Sequence, residues 1–416
     1  MIPPKKADRH LTKRILLGVV PLLTLGQTLG TIGVRAGELD FSGSIAAELR
    51  VFPTRPIFES QEKATFSPSF TLKGDFTYEW DKSKSRFTFV PFARVDSDDQ
   101  NRNHFDVREL KFLHLGDGWD AVVGIDTVFW GVTESRHLVN IINQDDAVER
   151  LDLEDKLGQP MVNLNLERDF GTFSFFALPT FRERKYYRFN HRFAGPIKID
   201  SDLATFDASN GKNHIDFAVR WQHILGDFEL AVSYFNGTSR EARLIPQANA
   251  GEQILVPHYD AIDQTAIEMQ YVHDATLFKV EMITRSGHGD RFAAFVTGVE
   301  HTLYGVMGST ADLGIIAEYL YDGRDLATAP ATSFDNDVFM GFRLAMNDLQ
   351  DTSFLLGSII DHKNGSTLIS LEAERRVGDA WKVELETRWF VGINRQDPLY
   401  TLKRDNNFMV RLTRFF

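Results

Sequence analysis

The last nine residues of the chain read FMVRLTRFF (408–416), and apolar positions alternate through them to the final residue. Phe408, Val410, Leu412 and Phe416 share one parity, while Arg411 lies on the other. A period of two is typical of a β-strand with two different faces. Most chain termini are polar and frayed. A half-apolar terminal strand therefore indicates that this strand pairs with another part of the chain.

The same pattern recurs along the sequence. In WKVELETRWF (381–390), for example, apolar and charged residues alternate. Runs of this kind start near residues 41, 66, 85, 105, 119, 160, 171, 214, 227, 262, 276, 291, 311, 335, 352, 366, 380 and 405. The spacing of about 21 residues suits tilted strands of ~9–11 membrane-crossing residues joined by turns and loops.

The connections between these runs are asymmetric. Even-to-odd connections are short, as in WDKSKS (80–85) and RDFG (168–171), whereas the long ones, such as 131–159 and 181–213, are all odd-to-even. Because an open sheet in lipid would leave backbone groups unpaired, the sheet must close. The sequence predicts an all-β fold, a transmembrane antiparallel β-barrel of about 18 strands (range 16–18), with short periplasmic turns and long extracellular loops.

The first 36 residues have the features of a secretory signal peptide. Basic residues precede an apolar run over 15–29, and the small-x-small exit Val34-Arg35-Ala36 follows. An uncleaved anchor is the alternative. Removing 1–36 leaves residues 37–416 as the barrel, with 40 basic and 57 acidic residues and a formal charge of −17. This charge argues against nucleic acid as a partner, and zero cysteines exclude disulfides.

The terminal strand resembles the carboxy-terminal strand of Gram-negative outer-membrane β-barrels, which the barrel-assembly machinery recognises. Phe408, Val410, Leu412 and Phe416 match that assembly signal, whereas Arg414 departs from it. The resemblance implies a location in the outer membrane, with lipid and lipopolysaccharide as surroundings. Porins of the general type are often trimers, so a homotrimer is left open.

A second stretch, FDVRELKFLHLGDGWDAVVGIDTVFWGVTESRHLVNIINQDD (105–146), is similar to a region of uncharacterised proteobacterial porin-like proteins. In porins the loop after the fifth strand commonly folds into the barrel. The resemblance therefore implies a constriction loop over 131–159, in which Asp145 would cap a short helix from Asp146 to Leu157. Its candidate residues are Glu134, Arg136, Asp145, Asp146, Glu149 and Asp152. An extracellular loop with a solvated acidic helix is the alternative.

Charged residues at inward strand positions predict an aqueous lumen, because a charge facing lipid at mid-depth costs about 2–4 kcal/mol. The candidate lumen-wall residues are Arg50, Arg94, Arg220, Lys279, Glu281, Arg285, Arg343, Glu384, Arg388 and Arg411. Each of them could instead form a structural ion pair. The basic, aromatic stretch FRERKYYRFNHRFAG (181–195) is either a binding site for anionic solutes or lipopolysaccharide phosphates, or a solvated loop tip.

These features together predict an outer-membrane porin, a passive channel for small hydrophilic solutes. The acidic loop and the net charge favour cationic or neutral solutes. One alternative is a substrate-specific exporter or uptake barrel for a polysaccharide or a hydrophobic compound. Another is an outer-membrane hydrolase, which needs a His near a Ser or Asp on the rim. Because the sequence contains no G-x-S-x-G, H-E-x-x-H or Gly-rich phosphate loop, we expect no enzyme activity, no cofactor and no metal site.

Overall fold

The structure is a computed structural model that describes residues 37–416. The predicted signal peptide, residues 1–36, lies outside the described residues. The strands are β1 (Glu38–Val51), β2 (Phe66–Trp80), β3 (Ser85–Asp96), β4 (His104–Leu115), β5 (Trp119–Asp126), β6 (Gln159–Arg168), β7 (Gly171–Leu178), β8 (Lys198–Ile199), β9 (Thr205–Phe206), β10 (Asp216–Leu225), β11 (Phe228–Thr238), β12 (Arg243–Asn249), β13 (Glu252–Tyr259), β14 (Ala261–His273), β15 (Thr276–Gly287), β16 (Gly289–Leu303), β17 (Asp312–Asp322), β18 (Asn336–Ala345), β19 (Ser353–Asp361), β20 (Thr367–Val377), β21 (Trp381–Val391) and β22 (Asn407–Phe415).

Eighteen of these strands form one closed antiparallel sheet, and β8, β9, β12 and β13 form a separate small sheet. The predicted all-β barrel of about 18 strands is therefore confirmed. The predicted strand starts are accurate, and the largest difference is three residues, at β1. Strand starts are readable from sequence because the alternation of inward and outward side chains is a local property of each strand.

The terminal strand closes the barrel by pairing with the first strand. Glu48 of β1 lies opposite Arg411 of β22, and Leu49 lies opposite Val410. At the end of the seam, the Gly43 amide donates to the Phe416 carbonyl at 2.8 Å, and the Phe416 amide donates back at 3.0 Å. The chain ends on an ordered strand because this strand supplies the last ladder of hydrogen bonds.

The connections divide the barrel into two ends. When the eighteen barrel strands are counted in chain order, the eight connections that follow an even-numbered strand are short, and the longest of them is 304–311. We call the side of the barrel on which they lie the turn end. Every long connection lies on the other side, the loop end, and the longest are 127–158 and 179–215. Three loop-end connections are also short, at 97–103, 288 and 362–366. The predicted asymmetry is therefore present.

The outer surface of the barrel is apolar. Phe408, Val410 and Leu412 of β22 are exposed on this surface, while Met409 between them is buried inside. Arg414, which departs from the family pattern, also faces outward. Its guanidinium lies 5.6 Å from the ring centroid of Trp381, an arrangement that stabilises a cation beside an aromatic face.

Aromatic side chains gather on the outer surface near the turn end, as in the stacked pairs Tyr78–Trp80 and Phe228–Tyr271. Such aromatic belts are typical of the two interfaces of membrane barrels. Trp130 is an exception to this arrangement. It follows the end of β5 and is buried inside the barrel.

The interior has two different sides, one with an apolar cluster and one that is largely charged or polar. From β6 to β18 the inward side chains include a continuous apolar cluster, with Ile283, Ile316, Leu320 and Phe339 among its members. Over the remaining strands the buried inward residues are largely charged or polar. Among residues 37–416, no helix is both long and apolar enough to cross a membrane.

Candidate functional site: a segment that crosses the lumen

Residues 127–158, which connect β5 to β6, form the candidate site, and we call them the lumen segment. Glu281 on β15 accepts hydrogen bonds from the amides of Val132 and Thr133 at 2.7 and 3.0 Å. Glu318 on β17 accepts from the amides of Glu134 and Ser135, both at 2.8 Å. Glu281 and Glu318 are buried on the inward face of strands far around the barrel from β5. The segment therefore crosses the interior.

Gly131 allows the close approach of the segment to β15. Its φ is +130°, and a Cβ added there would lie 2.9 Å from a carboxylate oxygen of Glu281. A residue with a side chain would be strained in this backbone region and would also displace the carboxylate. Gly131 is thus the point at which the chain turns to present its amides to Glu281.

One face of the lumen segment is apolar. Trp130, Val139 and Ile142 are buried against the inward side chains Ile283 and Leu320 as part of a single cluster. Each large apolar side chain fully buried in this way contributes about 1.5–3 kcal/mol. The segment is therefore held in the lumen by a hydrophobic core in addition to its hydrogen bonds.

The predicted helix from Asp146 to Leu157 is absent. The two ends of this stretch pair instead, because the Asp146 amide donates to Asp155 O and the Leu157 amide donates to Gln144 O, both at 2.8 Å. The Asp145 carboxylate caps no helix and accepts from Lys156 Nζ and Arg184 at 2.5 Å each. Tertiary ion pairs thus replace the local capping bonds on which the helix prediction rested.

The six candidate constriction residues are all ion-paired. Glu134 pairs with Arg343, Asp152 pairs with Arg388 at 2.8 Å, and Arg136 lies 3.1 Å from Asp322. Glu134, Arg136, Asp145 and Asp152 line a cavity in the lumen.

Asp146 and Glu149 lie on the other side of the segment and do not line this cavity. Arg108 contacts Asp146 at 2.6 Å, and Arg94 contacts Glu149 at 2.7 Å. Burial raises the pKa of the Glu149 carboxyl, but Arg94 and Arg102 lower it by more, so this pKa lies below its ordinary value. This pair of carboxylates belongs to a buried polar network with β3 and β4.

The ten candidate lumen-wall residues all lie on inward strand positions. Three of them pair with acidic residues of the lumen segment, namely Arg94, Arg343 and Arg388. Glu281 holds its backbone, and the Arg220 guanidinium lies 5.6 Å from the ring of Trp130. The other five form the ion pairs Arg50–Glu48, Arg411–Glu48, Lys279–Glu300, Arg285–Glu241 and Glu384–Arg150.

Several residues of the site lay outside the sequence-based candidate set. Glu318 and Arg108 lie on strands, and the alternation pattern places Glu318 inward, whereas it did not indicate Arg108. Arg184 and Glu241 lie in long connections, where no periodic pattern indicates which side chain turns inward. Burial raises the pKa of the Glu241 carboxyl, but the guanidiniums of Arg324 and Arg285 lower it by more. The pKa of Glu241 therefore lies well below its ordinary value.

The structure excludes the solvated tip for the basic stretch 181–195, while binding of anionic solutes or lipopolysaccharide phosphates stays a prediction. Arg192 donates to Asp405 at 2.8 Å, and Arg182 donates to Asp106 at 2.7 Å. The stretch runs from β7 across the loop end to the connection before β22. Three of its four arginines, Arg182, Arg184 and Arg192, are paired with acidic residues, so the stretch covers the mouth and is not a solvated tip.

The cavity between the lumen segment and β18–β21 has a volume of about 620 Å³. Its lining combines six acidic residues, Glu134, Asp145, Asp152, Glu154, Glu241 and Glu372, with six basic ones, Arg136, Lys156, Arg184, Arg240, Arg285 and Arg388. The formal charge of these twelve is zero. The acidity of the loop in the sequence is therefore balanced by arginines that arrive from other elements.

His137 adds a further charge to this lining. Burial alone would lower its pKa, but the neighbouring carboxylates of Glu154 and Glu281 raise the pKa of His137 to about 9. Its Nε2 lies 3.1 Å from Glu154 and its Nδ1 lies 3.7 Å from Glu281. The imidazolium links two segments of the site at neutral pH.

The hydrolase alternative requires a His beside a Ser or Asp on the rim. Nε2 of His288 lies 3.1 Å from Ser239 Oγ and 3.6 Å from Asp260. In a triad the acid and the serine contact different ring nitrogens, but here both contacts fall on the same nitrogen. Ser239 is also fully buried. This group of residues does not form a triad, and the expectation of no enzyme activity stays a prediction.

Comparison with known proteins identifies the fold. No family model matches the chain, and no curated protein matches it. Among solved structures, the chain is similar to Wzi of Escherichia coli, described as a carbohydrate-binding β-barrel of the outer membrane involved in group 1 capsule assembly. The TM-score is 0.53 at 10% identity, over 90% of this chain and 84% of Wzi.

A porin of Rh. blastica carrying three substitutions aligns with 91% of this chain and with its own full length, with a TM-score of 0.44 and 11% identity. At these identities the likeness to Wzi establishes a shared barrel fold alone. The function of the chain must be argued from its own residues.

Proposed function

We propose that the protein is an outer-membrane porin of a Gram-negative bacterium, a passive channel for small hydrophilic solutes. The observation that carries this proposal is the course of the lumen segment. It is bound to the opposite wall through Glu281 and Glu318, and it leaves a cavity with a polar and charged lining beside β18–β21. Solutes would pass through this gap.

A membrane location is supported by the closed sheet and its apolar outer surface. Closure pairs the backbone groups of the barrel strands, as lipid requires. Charged side chains such as Lys279 and Glu281 are buried inside, while Phe278 and Met282, which flank this pair in the chain, are exposed outside. This distribution is favourable only if the outer surface faces hydrocarbon.

The charge of the lining favours neutral solutes. The sequence alone favoured cationic or neutral solutes because the loop is acidic. The six acidic residues that line the cavity face an equal number of basic ones, and the charge of His137 is met by Glu281 behind it, so neither ion gains a large net electrostatic benefit. The narrowness of the cavity favours solutes of low mass.

A substrate-specific barrel is the second candidate, and one observation favours it. The stretch 181–195 crosses the loop end and is fixed by the pairs Arg192–Asp405 and Arg184–Asp145. A mouth closed in this way suits a barrel that opens for one solute.

The test is single-channel recording of the refolded protein in a planar bilayer, combined with liposome swelling in neutral sugars of increasing size. We expect steady open steps, weak ion selectivity and swelling that decreases with sugar mass. A protein that is folded but gives neither conductance nor swelling would contradict the porin. Conductance that appears only with one added solute would support the second candidate.

A further inference from the structure

We propose that His104, Asp146 and Glu149 form a binding site for a divalent transition-metal ion of the zinc type, which joins the lumen segment to β4. The three side chains each offer one ligand atom, and these atoms lie within 4.8 Å of one another. His104 opens β4, whereas Asp146 and Glu149 belong to the lumen segment. The proposal goes beyond the channel function and does not depend on it.

The spacing of the ligand atoms suits a single ion. His104 Nε2 lies 3.6 Å from Glu149 Oε1 and 3.9 Å from Asp146 Oδ2. In a tetrahedral zinc site with metal–ligand distances of about 2.0–2.1 Å, neighbouring ligand atoms are about 3.4 Å apart. Contraction by a few tenths of an ångström would bring the two distances from His104 Nε2 to that value, and the two carboxylates lie within 4.8 Å of each other. One nitrogen and two carboxylate oxygens form a known type of zinc ligand set.

The backbone fixes the tautomer of His104. Its Nδ1 lies 3.0 Å from the carbonyl oxygen of Arg102. A carbonyl oxygen can only accept, so Nδ1 carries the proton that this hydrogen bond requires. In the neutral ring, Nε2 then presents a lone pair toward the two carboxylates. Metal-binding histidines commonly donate their other nitrogen to a backbone carbonyl in this manner.

The site also contains polar atoms that lack a hydrogen-bond partner. His104 Nε2 and Asp146 Oδ1 are buried and make no hydrogen bond. Asp146 is 0% exposed. Arg94 and Arg108 contact the two carboxylates, but no group among residues 37–416 reaches the His104 lone pair that faces them. A buried lone pair without a partner is unfavourable, and a metal ion among the three side chains would satisfy it. This is the observation that points to a ligand.

The arginines beside the site have second acidic partners. Arg94, which contacts Glu149, also lies 3.4 Å from Glu48, and Arg108, which contacts Asp146, lies 3.1 Å from Asp106. Each guanidinium therefore divides its charge between a site carboxylate and a second carboxylate. Both are placed as outer partners that orient a ligand carboxylate, an arrangement that is common around bound metals.

A second group, Asp207, His258 and Asp260, has similar spacing but is a weaker candidate. Its Asp260 carboxylate accepts from Arg243 Nε at 2.8 and 2.9 Å, just as Glu149 accepts from Arg94 Nε at 2.9 Å, so the difference between the two groups lies in the histidine. His258 Nε2 lies 3.1 Å from Asp207, as a direct hydrogen bond would place it. This group is therefore satisfied without an ion, and it provides a matched control.

The experiment measures zinc binding by the mature, refolded protein after treatment with a chelator. Zinc chloride is titrated in competition with a chromogenic indicator, and bound zinc is counted by mass spectrometry. We expect one zinc per chain in the wild type. We expect affinity at least about 10-fold lower in His104→Ala, and unchanged binding in His258→Ala. Heat-modifiable migration on gels verifies that each variant is folded.

Absence of saturable zinc binding in the wild type would overturn the proposal. So would binding that survives His104→Ala and is lost in His258→Ala. If His104→Ala fails to fold, crystals of the wild type soaked in zinc decide the matter. Anomalous density among His104, Asp146 and Glu149 supports the site, whereas density elsewhere or none overturns it.

Discussion

The Oε1 atom of Glu281 on β15 lies 2.7 Å from the hydroxyl of Thr133 in the lumen segment. The same oxygen accepts the amides of Val132 and Thr133, and the second oxygen accepts from the Val139 amide at 3.3 Å. A single buried carboxylate from one wall thus satisfies three backbone donors and a hydroxyl of a segment that begins on the other wall. The position of the segment depends on this residue.

We therefore expect Glu281→Ala to release the lumen segment. Removing one partner from a buried charged network costs roughly 3–5 kcal/mol, and several amides would lose their acceptor. Single-channel conductance should increase and become noisier. The control is Glu374→Ala, because Glu374 is inward near the turn end and pairs with Lys382 at 2.6 Å, away from the segment. Equal conductance in the wild type and Glu281→Ala would contradict this role.

The balanced lining predicts how ion selectivity changes. Arg388 contacts Asp152, Glu386 and Glu372 at 2.8, 2.9 and 3.2 Å. Arg388→Gln leaves these carboxylates without their shared cation, so the cation-to-anion permeability ratio should rise. One unit charge about 4 Å from an ion in a water-like environment is worth ~1 kcal/mol, or a factor of about five.

Reversal potentials under a salt gradient measure this ratio. Arg375→Gln is the matched control, since Arg375 lies on the outward parity of β20 and pairs with Asp348 at 3.0 Å. Arg375→Gln should leave the reversal potential unchanged. A shift toward anions in Arg388→Gln would exclude the proposed path along β21.

His137 makes the docking of the lumen segment dependent on pH. Its pKa is raised to about 9 by Glu154 and Glu281 against the effect of burial, while an unfolded His titrates near 6.5. The charged form is thus favoured by folding. The charged His137 contributes roughly 3 kcal/mol at most to the free energy of unfolding. This contribution is fully present below about pH 6.5 and is lost as the pH rises through about 9.

Urea unfolding between pH 6 and pH 10 tests this dependence. The wild type should lose stability over this range more steeply than His137→Gln, and the two curves should converge at the alkaline end. His301→Gln serves as the control because His301 contacts Thr276 on the barrel and has no carboxylate partner among its hydrogen bonds. Parallel curves for the wild type and His137→Gln would show that His137 does not titrate as described.

The terminal strand predicts an assembly phenotype. Phe416 pairs with Gly43 across the seam, and its ring lies 6.2 Å from that of Phe41. Phe416→Ser removes this apolar contact and one residue of the predicted assembly signal, so the fraction of folded barrel in the outer membrane should fall. Phe415→Ser, on the opposite parity, should have the smaller effect. Heat-modifiable migration of membrane fractions measures both, and equal losses would contradict the signal.

The sequence by itself determined the strands and their inward and outward faces. It also determined the ends at which short turns and long loops lie. These features are local, because alternation of side chains is a property of each strand and turn length is a property of neighbouring strands. Closure also followed, since a terminal strand such as β22 has no other partner in lipid.

The tertiary structure alone decided how the lumen is filled. The acidic loop predicted a helix and a cation-favouring surface, but Arg94, Arg108, Arg343 and Arg388 reach it from four different strands. Glu281 fixes its backbone from a fifth strand. These contacts join residues far apart in the chain and leave no periodic pattern, and burial makes each unpaired charge costly. The charge and shape of the cavity therefore depend on which strands closure brings together around the segment.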